Sequence, residues 1–424
     1  MKYRYFGGVM AAAAVLAVPV QAWGQHVVGT PALTDGSDGG FQVPINADPI
    51  YRLPTGRAGD SGFYTAAEFV MLTQTRDFGS QTIAVRGFFD SSGVLTGIPG
   101  LFVGSGTEAL NTRDLSRQSY QPGFNVEIGY RFDNGMRLFF NYMQLVETHY
   151  SLGATLVPPL FGGPPGLADT FLSAPVFNFP PNFAGPARKV QGFDDYQIYG
   201  IWNAASTMDI RIAQRYQEMN AGYRIPLLET DYSRVYGAAG GRFAWFFERF
   251  QWWTFSYGID VEFDDDDDDD TPNIQSTLRP QDTARYTNTL SQRMYGPFIG
   301  CGHEIFILNQ FSLSTDLTAA MLFNVAKMRA KYQLGENVPA DIATQSKFGR
   351  EEFRVVPNLN AAVNFWWYPV EGVQIRVGYQ AMMFFNTLHM DGPVGFNYGN
   401  IDPSYKVKEF RLLHGFNVGI GFFF

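Results

Sequence analysis

The 424-residue chain is 16% aromatic and only 17% charged, with 45 glycines and 39 phenylalanines, yet its mean hydropathy lies near zero. That combination excludes a bundle of membrane helices, which is strongly apolar on average, and suits strands whose side chains alternate between lipid and water. The formal charge of −9 comes largely from the seven residues Asp264–Asp270 and is about −2 without them, so nothing in it points to nucleic acid.

Residues 1–24 read as a cleaved secretory signal. Lys2 and Arg4 precede the apolar run Val9–Val20, and Val20-Gln21-Ala22 or Ala22-Trp23-Gly24 supplies the small-residue cleavage site. The run is too short to span a bilayer, and no later run of about 18 apolar residues occurs. Residues 25–61, rich in Gly, Pro and Asp without a sustained period, read as a flexible extension.

Residues 62–424 are expected to form an all-β, transmembrane antiparallel barrel. Phe124, Val126, Ile128, Tyr130 and Phe132 alternate with Asn125, Glu127, Gly129 and Arg131, and the turn Asp133-Asn134-Gly135 follows. Met136, Leu138, Phe140 and Tyr142 resume the pattern. Leu313, Leu317, Met321 and Phe323 repeat it later, as do Phe353, Val355, Leu359, Val363, Phe365 and Trp367. About ten strands result, near 62–76, 120–133, 136–151, 206–226, 233–256, 290–307, 311–333, 351–368, 373–389 and 406–424. A further hairpin within 78–119 or 160–205 would make twelve. Turns near 134, 230, 309 and 370 are short, while the segments 77–119, 152–205, 257–289, 334–350 and 389–405 are long. Short periplasmic turns alternating with long extracellular loops mark an outer-membrane barrel. The chain ends on such a strand, with Phe416, Val418, Ile420, Phe422 and Phe424 on one face; in a closed barrel that strand pairs with the first and leaves no edge.

Several stretches resemble the major outer membrane protein family first known from Legionella and the beta-barrel porin families of planctomycetes. They are YQPGFNVEIGYRF, MDIRIAQRYQEMNAGYRI with GAAGGRFAWF, YGPFIGCGHEIFILNQFSLSTDLTAAMLF and RLLHGFNVGIGFFF, across most of 120–424. The resemblance implies a bacterial outer-membrane location and porin-like, passive passage of small solutes or ions, without enzymatic chemistry. The same five C-terminal positions, Phe416 to Phe424, fit the signature by which bacterial barrels are recognised for insertion, which makes the barrel-assembly machinery an expected partner beside the membrane lipid.

On the small or polar strand faces, Glu127, Arg131, Arg137, Arg354, Arg376 and Arg411 are the candidate pore-lining residues; alternatively they form an internal salt-bridge network that plugs the barrel. Barrel width bears on the choice, since eight strands leave a filled interior and about sixteen a wide channel. A non-conducting structural or surface-interaction barrel is therefore the second reading. Alternate carboxylates of the acidic run (Asp264, Asp266, Asp268 and Asp270) offer oxygens to a loosely held divalent cation such as Ca²⁺, although the run lacks the interleaved spacing of a dedicated loop and also reads as a solvated segment. No other cofactor is expected. Phe243, Trp245, Phe246, Phe247, Phe250, Trp252 and Trp253, and the set Phe365 to Tyr368, read as two interfacial girdles.

A barrel lipid hydrolase is a distant alternative. His149 and Ser151 share a face, and their phase aims both at the lumen; His389 and Asp391 give an equally slight hint of a barrel protease. The lone Cys301 supports no disulfide and is given no role. Oligomeric state has no signature in the sequence.

Overall fold

The computed structural model describes residues 61–75, 78–90, 93, 96–115, 119–157, 169–180, 183, 187–190, 193–199, 201–230, 232–256, 258–262, 273–277, 283–308, 310–335, 345–370 and 372–424. The expected signal, the extension up to residue 60 and the Asp264–Asp270 run lie outside them. The rest belongs to one compact unit running from Pro49 to Phe424.

Ten antiparallel strands close into a ring. They are β1 (Gly62–Thr75), β2 (Gln121–Arg131), β3 (Arg137–Leu145 continuing as Thr148–Thr155), β4 (Thr207–Glu229), β5 (Ser233–Phe255), β6 (Thr283–Leu308), β7 (Phe311–Leu334), β8 (Gln345–Val370), β9 (Val373–Gly392) and β10 (Ser404–Phe423). Each pairs with the next in sequence, and β10 pairs with β1 from Tyr64↔Phe423 to Thr75↔Leu412. The two segments of β3 face successive stretches of β4, so they count as one strand. The expected count of ten holds; the long loops carry short strands of their own, such as Thr82–Arg86 and Glu108–Asn111, that stay outside the ring.

Local chemistry explains the turns. Gly135 adopts φ +78°, a region open to glycine at no steric cost, and its N–H donates to the Phe132 carbonyl at 2.9 Å while Asn134 Oδ1 accepts from Met136 N at 3.0 Å. This is the Asn-Gly hairpin expected between β2 and β3.

Strands β4 to β8 run 23 to 26 residues, more than twice the roughly ten needed to cross hydrocarbon. The surplus stands on the loop side, and the polarity of each strand inverts at one level. Toward the turns, β4 points Met219, Ala221, Tyr223, Ile225 and Leu227 outward and Glu218, Asn220 and Arg224 inward. Toward the loops the same strand points Asp209, Arg211, Arg215 and Gln217 outward, and Met208, Ile210 and Ile212 inward. β7 repeats this, with Leu317, Met321 and Phe323 outside below and Lys327, Arg329 and Lys331 outside above. The lower half is thus greasy outside and polar inside; the upper half is the reverse.

The inverted upper half encloses a hydrophobic core. Strand residues Met208, Ile210, Phe250, Trp252, Tyr286, Met328 and Tyr332 pack against loop residues Ile83, Leu110, Leu172, Phe183, Trp202, Val394 and Ile401. Trp202 sits 5.2 Å from Trp252 and 5.3 Å from Tyr332 between ring centroids, and its indole N–H donates to the Phe183 carbonyl at 2.8 Å. The loop after β9 is tied in through its backbone: Tyr286 and Asn288 donate to Pro393 O at 3.0 and 2.9 Å, and Tyr332 to Gly395 O at 2.9 Å. Burial pushes both tyrosine hydroxyls above their ordinary range, so they remain donors across the physiological pH range.

This core corrects the girdle expectation. Phe246, Phe250 and Trp252 lie inside the ring with 2% exposure or less, and only Phe243, Trp245, Phe247 and Trp253 face out; Tyr368 is likewise buried. The run FAWFFERFQWW carries aromatic residues on both faces, with Phe243, Trp245, Phe247 and Trp253 outside and Phe246, Phe250 and Trp252 inside.

Truncating Trp202 to alanine removes one of the two tryptophan side chains from this core, at a cost of about 3–5 kcal/mol to loop packing. The expected outcome in limited proteolysis is rapid cleavage within residues 78–115 and 169–206, with the heat-modifiable gel shift of the folded ring retained.

Candidate functional site in the barrel lumen

The inward face of the lower half is where the ring gathers its charges. Tyr64 donates to Glu127 Oε1 at 3.2 Å, and Arg224 meets both oxygens of that carboxylate at 2.8 and 3.2 Å. Such a bidentate pair combines charge with fixed geometry. The Arg224 guanidinium also lies 4.5 Å over the Phe139 ring. Arg376 pairs with Glu68, which accepts a further bond from Asn125 at 3.0 Å, and the Tyr236 hydroxyl donates to Asp316. Lower still, Glu304 accepts from Ser312 at 2.7 Å and Tyr368 at 2.9 Å.

One layer up, Arg242 donates Nε to Asn220 at 2.7 Å, reaches Thr318 at 3.0 Å and Asn358, and stands 3.4 Å from Glu218. An apolar layer of Tyr216, Phe246, Met382 and Phe384 follows. Above it Arg411 binds Glu248 at 2.7 Å and the Leu388 carbonyl at 2.9 Å, and His389 Nδ1 lies 3.9 Å from Glu248. The Arg411–Glu248 pair is almost wholly buried, with side-chain exposures of 1% and 3%.

Small inward residues make this crowding feasible. The Tyr64 ring lies over Gly129 and the Tyr236 ring over Gly302, and a Cβ at either glycine would collide with the ring. Alternating large and small inward residues fill narrow barrels in this way.

What remains open is small. A cavity of about 90 Å³ on the turn side is bounded by Glu68, Glu127, Arg131, Arg137, Arg376 and their neighbours. A second, of about 160 Å³, is lined higher up by Arg242, Asn220 and Asn360 among others. Each has room for several water molecules.

Four of the six candidate lining residues, Glu127, Arg131, Arg137 and Arg376, therefore meet around one cavity. Arg411 is not among the residues lining either cavity; it binds Glu248 and the Leu388 carbonyl within β9. Arg354 is on the inward phase of β8, above the last β8–β9 pair at Asn358↔Phe384, and pairs with Glu352 at 2.7 Å. Sequence reasoning missed Glu68, Arg224, Arg242 and Asp316, although the same inward alternation marks all four. The C-terminal set Phe416, Val418, Ile420, Phe422 and Phe424 faces outward, between 40% and 75% exposed. The four candidate cation ligands, Asp264, Asp266, Asp268 and Asp270, fall outside the described residues. Among the described ones no cluster of three metal-ligating side chains occurs.

The phase expected for His149 and Ser151 is overturned. Between Gln144↔Gln217 and Thr148↔Gln214, β3 spends four residues where β4 spends three, a bulge that exchanges the faces of β3. Thr148, Tyr150 and Ala154 turn inward, and His149 and Ser151 face out. Glu147 joins them on the outer wall, 3.5 Å from Arg249, 3.9 Å from His149 and 4.0 Å from Arg215. His389 is buried beside Glu248, whereas Asp391 is exposed.

Removing a charge from the buried pair tests its energetics. Arg411→Met leaves Glu248 with a lost partner and is expected to destabilise the barrel by about 3–5 kcal/mol in urea unfolding from lipid vesicles, followed by tryptophan fluorescence. The double variant with Glu248→Gln is expected to recover most of the loss.

A model of the family described as Legionella pneumophila major outer membrane protein precursor matches residues 77–412. No curated protein matches the chain. Among solved structures, the outer membrane protease OmpT of Escherichia coli aligns at 10% identity over 86% of this chain and 97% of its own, with a TM-score of 0.38. The Pseudomonas putida toluene transporter TodX aligns at 8% over 85% and 89%, with 0.26, and a Pseudomonas aeruginosa FadL homologue at 7% over 85% and 90%, with 0.21. At these scores the likenesses carry no argument about activity.

Proposed function

The chain belongs to the Legionella pneumophila major outer membrane protein family, and on that premise we propose that it acts in the bacterial outer membrane as a closed, surface-presenting barrel. The observation that carries this reading is the loop core. Loop residues such as Trp202, Leu172 and Val394 fill the outer half of the ring against Trp252, Tyr286 and Tyr332, where an open pore needs a water-filled mouth. The Glu127–Arg224, Glu68–Arg376 and Glu218–Arg242 pairs cross-link the inner half below it. We assign the chain no covalent chemistry: His149 and Ser151 sit on the outer wall, and no base–nucleophile pair converges in the lumen among the described residues.

A second reading, porin-like passage of small solutes or ions, draws support from one feature. The two polar cavities share Glu127, Arg224, Tyr236, Asp316 and Arg376 in their walls, so a displaced loop core would leave a continuous charged path through the lower half.

Single-channel recording of the refolded protein in a planar bilayer separates the two. A closed barrel gives no stable open steps from protein shown to be folded by its heat-modifiable mobility. Stable steps whose ion preference changes in Glu127→Gln or on deletion of Asp264–Asp270 would replace it with the passage reading.

A further inference from the structure

The outer wall above the apolar belt has a composition that neither the lumen nor the lipid contact requires. Cross-strand pairing sets its outward residues in rows that cross β4 to β8 perpendicular to the strands. The uppermost of four rows is Arg211, Gln251, Thr287, Lys331, Lys347. Next come Ala213, Arg249, Thr289, Arg329, Gly349, and then Arg215, Phe247, Ser291, Lys327, Glu351. The lowest is Gln217, Trp245, Arg293, Val325, Phe353, where the apolar belt begins. Rows lie about 7 Å apart along the strands, so the cations occupy a band that extends roughly 20 Å along the strands from the belt.

Among the described residues, few of these cations have carboxylate partners. Glu351 is the one acidic residue in the four rows and is taken by Lys327 at 2.8 Å. Glu147, from the β3 bulge, serves Arg215 and Arg249. Arg329 and Lys347 are exposed, and among the described residues no carboxylate lies in salt-bridge contact with Arg329, Lys331 or Lys347. Their neighbours sharpen the imbalance: partial burial, followed by the charges of Arg285 and Lys347, pulls the Lys331 ammonium below its usual range. A wall that concentrates positive charge at its own expense is complementary to an anion.

The height of the band identifies which anion. With the long loops on the extracellular side, the band begins where the outer leaflet's hydrocarbon ends, and the aromatic faces of Trp245 and Phe247 carry the Arg215 guanidinium at that level, 4.6 and 5.1 Å above them. We propose that the outward face of β4–β8 is a binding surface for the phosphate groups of a phosphorylated, multiply acylated outer-leaflet lipid. The phosphates meet Arg329, Lys331 and Lys347, and the acyl chains lie on the apolar residues below, Phe323, Met321 and Phe353. Arginine and lysine suit this task because each supplies charge-assisted donors to phosphate oxygens. The surface does not depend on whether the lumen conducts.

The test uses the full-length barrel refolded in detergent, with diphosphorylated lipid A as the probe and its retention on the purified protein measured by phosphate analysis and by fluorescence titration. The triple variant Arg329→Gln, Lys331→Gln, Lys347→Gln is expected to lose roughly 100-fold in affinity, given about fivefold per cation near an anionic surface. Lys406→Gln, on β10 outside the band, is expected to bind as the unmodified chain does. Retained heat-modifiable mobility shows that each variant is folded. Equal binding of dephosphorylated lipid A, or no loss in the triple variant, overturns the proposal. So does displacement of the lipid by inorganic phosphate at millimolar concentration, which would make the site one for free phosphate. Binding seen only after deletion of Asp264–Asp270 would also overturn it, because the chain's own acidic run would then be the occupant.

Discussion

The pairing of β10 with β1 is the contact on which the rest depends. In hydrocarbon an unpaired backbone N–H or C=O costs several kcal/mol, so a sheet there must close on itself or fail. The register from Tyr64↔Phe423 to Thr75↔Leu412 closes it, with the Phe424 N–H donating to Phe63 O at 2.8 Å. Closure at ten strands then fixes the width, and the width explains the interior. The lumen is too wide for side chains of one layer to fill with small apolar groups and too narrow for a broad aqueous channel. Arginine and glutamate side chains, long enough to reach the middle, fill the lower half as bonded pairs. Above the bilayer the same cylinder is filled by loops.

The two halves obey different solvents. Below, the driving force comes from lipid outside, and polar groups are tolerated inside where they find partners, as Arg242 does with Asn220, Thr318 and Glu218. Above, water is outside, and burial of Trp202, Trp252 and Tyr332 follows the rules of a soluble core. This accounts for a mean hydropathy near zero in a membrane protein.

Period-two alternation made the ring legible, because in a strand it leaves no freedom about which residues share a face. It placed Glu127, Arg131, Arg137 and Arg376 together and set Phe416 to Phe424 on the lipid side. It did not reveal what lay beyond one strand. In β5 the residues Phe246, Phe250 and Trp252 read as lipid-facing because both faces carry aromatic residues there, and only the loop core explains the inner one. The bulge at Val146-Glu147 has no glycine or turn residue to announce it, so the faces of His149 and Ser151 came out reversed. The loop core itself is assembled from strands as short as Leu172–Ser173 and from single contacts across hundreds of residues, such as Gln81 to Val394. No local period encodes those.

The level at which β4 to β8 invert their polarity also acts as a vertical ruler. Were the barrel to sink by one row, Arg215, Lys327 and Arg293 would enter hydrocarbon, each at a cost that climbs toward about 2–4 kcal/mol at the midplane. Were it to rise, Phe323, Tyr295 and Phe243 would be stripped of lipid at about 25 cal/mol for each Å² exposed. Both displacements are uphill on β4 to β8 at once, so on this side the barrel resists bobbing as well as tilting. The loops are thereby carried at a set elevation over the bilayer, as on a pillar whose footing is cut to the thickness of the membrane.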